Sequence, residues 1–207
     1  MSTSSGSPFN KKTLLAALAE LTGTFFLTLA ALTVPAPVTP YAAGLTLLVF
    51  VYAVGGLSGS HLNPAVTVGL VASRRFPLVQ GALYIIAQVA GALLARAIIA
   101  GAGMVGNLSS DYKAGSAIEE FIGFGILMLT VASTTEKQVS KAGSGIAVGG
   151  ALLAGLLISN GVLNPAVAIA MGLASSPAVW AALVSAVVFS LLFSLFEGAK
   201  PPEVKES

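Results

Sequence analysis

Residues 58–70 read SGSHLNPAVTVGL, and residues 159–172 read SNGVLNPAVAIAMG. One chain thus writes Leu-Asn-Pro-Ala-Val twice, about half its length apart. Asn followed by Pro is a strong helix start. The Asn side-chain oxygen accepts a backbone N–H that the first turn leaves unpaired, and Pro at the first helical position has no N–H to lose. The residues before each Asn read as extended peptide. The apolar runs that follow, 63–73 and 164–174, are too short to cross a bilayer. Exposed peptide carbonyls are tolerated at membrane depth only along a water-filled cavity. Each copy is therefore expected to be a loop that re-enters the membrane and a half-length helix that leaves it.

The rest of the chain supplies the membrane. Of 207 residues, 56% are hydrophobic and 9% charged, where a soluble domain carries about a quarter charged residues. Six apolar stretches approach spanning length: 13–34, 41–57, 78–101, 118–135, 143–158 and 178–197. The first run is too long for a signal peptide and no cleavage site precedes a soluble domain. Lys11, Lys12, Arg74, Arg75, Lys137, Lys141, Lys200 and Lys205 all fall on one side of a six-span arrangement. Positive residues in short loops mark the cytoplasmic face, so both termini are expected there. Lys113 lies in an opposite loop and Arg96 inside the third span. The sequence contains no cysteine, which excludes disulfides and thiolate metal sites. The net charge of +2 gives no reason to expect a nucleic-acid partner.

The two halves match beyond the motif. Glu120 follows Glu20 by 100 positions, Asn164 follows Asn63 by 101, and Pro177 follows Pro77 by 100. Three landmarks of different chemistry at one spacing indicate a duplication. Each copy holds three spans, an odd number, so the second sits inverted, and such folds place their site at the midplane where broken helices meet. The expected fold is all-α: six transmembrane helices and two re-entrant half-helices in two inverted three-span repeats. Its parts are a disordered terminus (1–12), the first repeat (13–102), an extracellular connection (103–117), the second repeat (118–197) and a cytoplasmic tail (198–207). The positive ends of the half-helices would meet at the centre, repelling cations, while Asn63 and Asn164 could turn amide N–H groups to a passing oxygen.

These residues resemble the aquaporin and glycerol-facilitator (major intrinsic protein) family, whose hallmark is two Asn-Pro-Ala motifs in inverted repeats. Here they are Asn63-Pro64-Ala65 and Asn164-Pro165-Ala166. Further likeness lies in SGSHLNPAVT, in AELTGTFF of the first span and in YIIAQVAGA of the third, and the resemblance runs from about Leu14 to Phe196. It implies that Glu20 and Glu120 brace the re-entrant loops and that the protein is a homotetramer with one pore per subunit. It also makes Gly59, Ser60, His61, Asn160 and Val162 pore-lining loop residues. His61 has a second reading, as an anchor that holds its loop. One departure stands out. Most of the family places Arg three residues after the second Asn, where this chain has Val167, and the Asp that often follows is Ala168. The other filter positions fall on Ala43, Leu152 and Gly161, so the outer constriction is expected to be apolar, wide and uncharged. Arg96 has two readings: it supplies the missing charge, or it reaches the interface or a subunit contact. Gly44, Gly55, Gly56, Gly145, Gly149, Gly150 and Gly155 are expected to let helices pack closely.

The expected function is a passive channel for water and/or small neutral solutes such as glycerol, urea, ammonia and hydrogen peroxide. It needs no cofactor, no metal and no partner beyond solutes, the bilayer and its own copies. The competing class is a non-conducting structural or adhesion protein that keeps the fold. Active transport would have only the two acids with which to couple ions. An enzyme is not expected, since no nucleophile–base set can be assembled. Short loops and termini point to a prokaryotic inner membrane.

Overall fold

The computed structural model describes residues 10–104 and 117–198. They form α1 (Lys11–Thr33), a 3-10 turn (Ala36–Val38), α2 (Thr39–Ser58), α3 (Pro64–Ala72), α4 (Leu78–Gly101), α5 (Ala117–Thr135), α6 (Lys141–Ser159), α7 (Pro165–Ala170) and α8 (Pro177–Gly198). Most of the expected terminus, connection and tail, with Lys113, Lys200 and Lys205, lies outside the described residues. The helix replaces expected disorder at Lys11 and Lys12 because Asn10 caps α1, its Oδ1 accepting Thr13 N–H at 3.0 Å. Six helices are long and apolar enough to span a membrane, from 19 to 24 residues. At 1.5 Å per residue that is roughly 28 to 36 Å, against a hydrocarbon core of about 30 Å. Ile86, Ile118 and Leu195 point outward, as lipid-facing residues do.

The helices α3 and α7 have nine and six residues, roughly 14 and 9 Å, and so reach only part of the way across. Both open as Asn-Pro dictates. Asn63 and Asn164 keep extended backbones, and their Oδ1 atoms accept Ala65 N–H at 2.9 Å and Ala166 N–H at 3.0 Å. Both close in the same left-handed stop. Leu173 N–H reaches Ala168 O at 2.8 Å around Gly172 (φ 81°), and Arg75 N–H reaches Leu70 O at 2.8 Å around Arg74 (φ 60°). This six-to-one bond is the usual glycine stop. It ends α7 at Ala170, before the apolar run in the sequence does.

The packing repeats under inversion. In the first half α1 packs on α2 and α4, in the second α5 packs on α6 and α8, and the halves join along α2 and α6. The half-helices cross over: α3 packs on α8 and α7 on α4. Neither repeat therefore completes its core alone. Glycines set the closest approaches. A Cβ on Gly44 would stand 2.9 Å from Gly149 O, one on Gly123 would stand 2.7 Å from Gly155 O, and one on Gly91 would collide with Leu21 O. The expectation fails at Gly56 and Gly150, where nothing lies within 4 Å; these two sit on helix faces that no neighbour covers. The repeats are also not in one register throughout. Pro77 precedes α4 whereas Pro177 is the first residue of α8. The two prolines therefore stand at different positions relative to the start of their helices, one residue out of step.

Arginines fasten both half-helices. Arg75, just past α3, donates Nε to Glu136 at 2.7 Å, Nη1 to Ser194 Oγ at 2.9 Å and Nη2 to Glu197 at 2.8 Å, tying the ends of α5 and α8 to the first loop. Arg96 donates Nη1 to Ala170 O at 2.6 Å, at the carbonyl end of α7, where a cation complements the helix dipole.

These contacts separate two glycine substitutions. Gly91→Val drives a side chain into the α1 backbone and is expected to abolish folded protein. Gly150→Ala adds a methyl to open space and is expected to leave stability unchanged or raise it by about 0.5–1 kcal/mol. Detergent-solubilised yield and thermal midpoints check both, and similar behaviour of the two variants would contradict this packing.

Candidate functional site

The two re-entrant segments meet in the middle of the bundle. Asn63 Nδ2 donates to Leu163 O at 2.7 Å, and Asn164 Nδ2 donates to Leu62 O at 2.9 Å. Each capping Asn is thus bonded to the peptide just before the other. Both leucines are fully buried and left-handed, with φ of 47° for Leu62 and 55° for Leu163. That turn costs an L-residue roughly 1–2 kcal/mol. It lets each leucine send its carbonyl to the opposing Asn while its N–H points at a carboxylate.

Those carboxylates are Glu20 and Glu120, both fully buried. Glu20 accepts Ser58 Oγ–H at 2.7 Å, His61 N–H at 3.0 Å, Leu62 N–H at 2.6 Å and Gln88 Nε2–H at 2.8 Å. Glu120 accepts Val162 N–H at 2.6 Å and Leu163 N–H at 3.0 Å. Each acid supplies acceptors to loop N–H groups that have no helical carbonyl to pair with. Burying a carboxylate is costly unless it is hydrogen-bonded in this way.

His61 is held at both its backbone and its ring. Its Nδ1 lies 3.1 Å from Thr67 Oγ1, and the ring packs edge-on to Phe76 and Tyr84, with centroids 4.6 and 5.3 Å away. The Thr67 hydroxyl donates to Asn63 O at 3.2 Å, so the bond to His61 requires the Nδ1–H tautomer. Gly59 (φ 88°) and Ser60 (φ 50°) make the turn, with Ser60 Oγ–H on Phe50 O at 2.8 Å.

A cavity of about 360 Å³ opens at the Thr39 end, beside Ala36, Pro37 and Pro40, and descends to Asn164. Ala43, Leu152, Gly161 and Val167 all border it, together with Asn160 and Val162. Gly59, Ser60, His61 and Asn63 do not. Among the described residues that border it none is charged, and Arg96 is not one of them, its Nη1 lying on Ala170 O. The missing charge at Val167 is therefore not replaced from α4. Sequence reasoning missed Leu27, Ala31, Leu156 and Met171 in this wall, since their helices meet only in the fold. It also gave no role to Thr67, Tyr84 or Gln88. The latter two lie in the quoted stretch YIIAQVAGA, where a Gln amid apolar residues was the available signal.

The sequence profile of the major intrinsic protein family matches residues 9–195. Aquaporin NIP1-4 of Oryza sativa subsp. japonica is 33% identical over 198 residues, 84% of this chain and 72% of the relative. Aquaporin Z of Photorhabdus laumondii is 33% identical over 154 residues, 64% of this chain and 67% of the relative. Several further plant aquaporins are matched over about half their own length. Among solved structures, the aquaglyceroporin from Plasmodium falciparum has a TM-score of 0.68 at 20% identity, covering 89% of this chain and 95% of that one, a likeness of fold. The chain belongs to the major intrinsic protein family, whose members are integral membrane channels for water and small solutes and not enzymes.

The two acids are expected to differ in weight. Each buried donor left without an acceptor costs about 1–3 kcal/mol. Glu20→Ala strips four donors and Glu120→Ala strips two. Glu20→Ala should lower the thermal midpoint of the purified protein further, and the reverse order would contradict this accounting of the loops.

Proposed function

We propose that this chain is a passive channel for water and/or small neutral solutes, among them glycerol, urea, ammonia and hydrogen peroxide. Ala43, Leu152, Gly161 and Val167 form its wide apolar outer filter, and Asn63 and Asn164 are its central donors. What carries the reading is the uncharged cavity that runs from the Thr39 end to Asn164 at the start of α7. Aquaporin-type selectivity comes from pore diameter, lining donors and electrostatic barriers. In this chain the barrier to cations is the paired positive ends of α3 and α7. The loop residues Asn160, Gly161 and Val162 guide solute on the Thr39 side, and Gly59, Ser60 and His61 belong to the opposite half. Glu20 and Glu120 brace the loops without touching solute.

The Arg75 end carries Lys11, Lys12, Arg74, Lys137 and Lys141 and is the cytoplasmic one, which puts the cavity outside. The repeats run 13–102 and 118–197. The assembly is read as a homotetramer from the family resemblance, and the membrane as a prokaryotic inner one from the short loops, a bacterial relative being matched beside the plant ones.

Stopped-flow light scattering on proteoliposomes after a glycerol jump tests the channel. Shrinkage and re-swelling are both expected to be faster than in empty liposomes. Neither phase exceeding the control, with folded protein verified, would favour the non-conducting structural alternative. Val167→Arg is expected to slow re-swelling by about tenfold, a barrier increment of about 1.4 kcal/mol, while shrinkage falls less. Equal slowing of both phases would remove Val167 from the filter.

A further inference from the structure

The outer cavity is larger than passage of a small solute requires, and its chemistry is lopsided. Its wall is built from Leu27, Ala31, Ala43, Leu156, Val167 and Met171. At its floor is Asn164, only 3% exposed. The Asn164 amide has two N–H bonds. One is committed to Leu62 O, and the other has no partner among the described residues. Below Asn164 the two loops are tied together by the crossed Asn–Leu contacts. An apolar cavity of about 150 Å³ takes up benzene, and this open one holds about 360 Å³, with Thr39 and Asn160 as further polar residues of its wall. A molecule with an apolar body and one terminal oxygen matches it in both respects.

We propose that this cavity is a binding site for neutral alcohols with an apolar body of about six carbons, docked with the hydroxyl oxygen on the Asn164 amide and the body against the α1, α2 and α6 walls. A bound alcohol that fills the cavity occupies the outer filter, and so slows flux while it stays. A cationic analogue is disfavoured, because the site lies over the positive end of α7. The blocking effect rests on the channel reading above; the binding itself does not.

The full chain in lipid nanodiscs, titrated with 4-fluorobenzyl alcohol and followed by 19F NMR, tests the site. Empty nanodiscs correct for partitioning into lipid. Saturable line broadening above the empty-disc control is expected. It should be at least about tenfold weaker, or 1.4 kcal/mol, for 4-fluorotoluene, which lacks the oxygen, and absent for 4-fluorobenzylammonium. Ala43→Phe, which fills the chamber, should abolish it. The three wild-type titrations decide the matter even if that variant does not fold. No broadening above the control overturns the site, and equal binding of 4-fluorotoluene overturns the role given to Asn164. In parallel, 4-fluorobenzyl alcohol should slow solute flux in proteoliposomes over the same concentration range. Binding without slowing a measurable flux overturns the block. Binding to a chain that conducts nothing leaves the site standing and removes the channel reading.

Discussion

The structure depends on two peptide groups. The N–H of Leu62 goes to Glu20 and its carbonyl to Asn164, and the N–H of Leu163 goes to Glu120 and its carbonyl to Asn63. Each leucine joins its own repeat, through the acid, to the other repeat, through the Asn. Away from the solute path, the membrane interior offers no replacement for these partners. The left-handed turn at each leucine costs roughly 1–2 kcal/mol, whereas a hydrogen bond to a charged group returns about 1.5–3. The acid therefore offsets the strain that aims the carbonyl across the interface. The cross-packing of α3 on α8 and of α7 on α4 follows, because half-helices whose N-termini meet head-on must lean on the opposite repeat.

The duplication has been kept in geometry and abandoned in chemistry. At an offset of 101, His61 corresponds to Val162 and Thr67 to Ala168, and α8 carries no glutamine to match Gln88 of α4. The first loop is consequently held by a polar network running from Glu20 through Gln88 and Thr67 to His61. The second loop is held by Glu120, by Asn63 on Leu163 O and by Ser159, whose Oγ accepts Gly161 N–H at 3.1 Å. The polar half lies toward Arg75 and the apolar half toward Thr39. The opening at Thr39 is largely apolar because alanine, leucine and valine side chains of α1, α2, α6 and α7 face it, Val167 among them where arginine would stand.

What the sequence made legible was what local chemistry decides. Asn-Pro sets a helix start within three residues, and the lengths of the apolar runs set the six spans. Partners made of backbone were not legible. Arg96 serves Ala170 O, and nothing in the sequence marks one carbonyl as the target of a guanidinium. Arg75 reads as a topology charge, yet its side chain is 8% exposed and holds two carboxylates. Nothing in Leu62 or Leu163 announces a left-handed turn. The use of Glu20 and Glu120 came from family likeness, since spacing alone pairs the acids with each other as readily as with the loops. Gly56 and Gly150 carry the small-residue signal with no neighbour to receive it.

The absent arginine shows how fold and filter come apart. A guanidinium at position 167 would lie beside the loop 160–163 and could donate to its carbonyls. In this chain the loop is fixed without one: Val162 and Leu163 N–H by Glu120, Leu163 O by Asn63, and Gly161 N–H by Ser159. Val167 instead packs with Ala31, Val162 and Val179 in a small apolar cluster. All of these loop bonds come from residues outside the collar of Ala43, Leu152 and Val167, whose side chains contribute none of them. The collar side chains can therefore change without unfastening the re-entrant segment. These side chains can drift while the Asn–Leu crossing stays put, and the fold consequently constrains the centre of the bundle far more tightly than the mouth of the cavity.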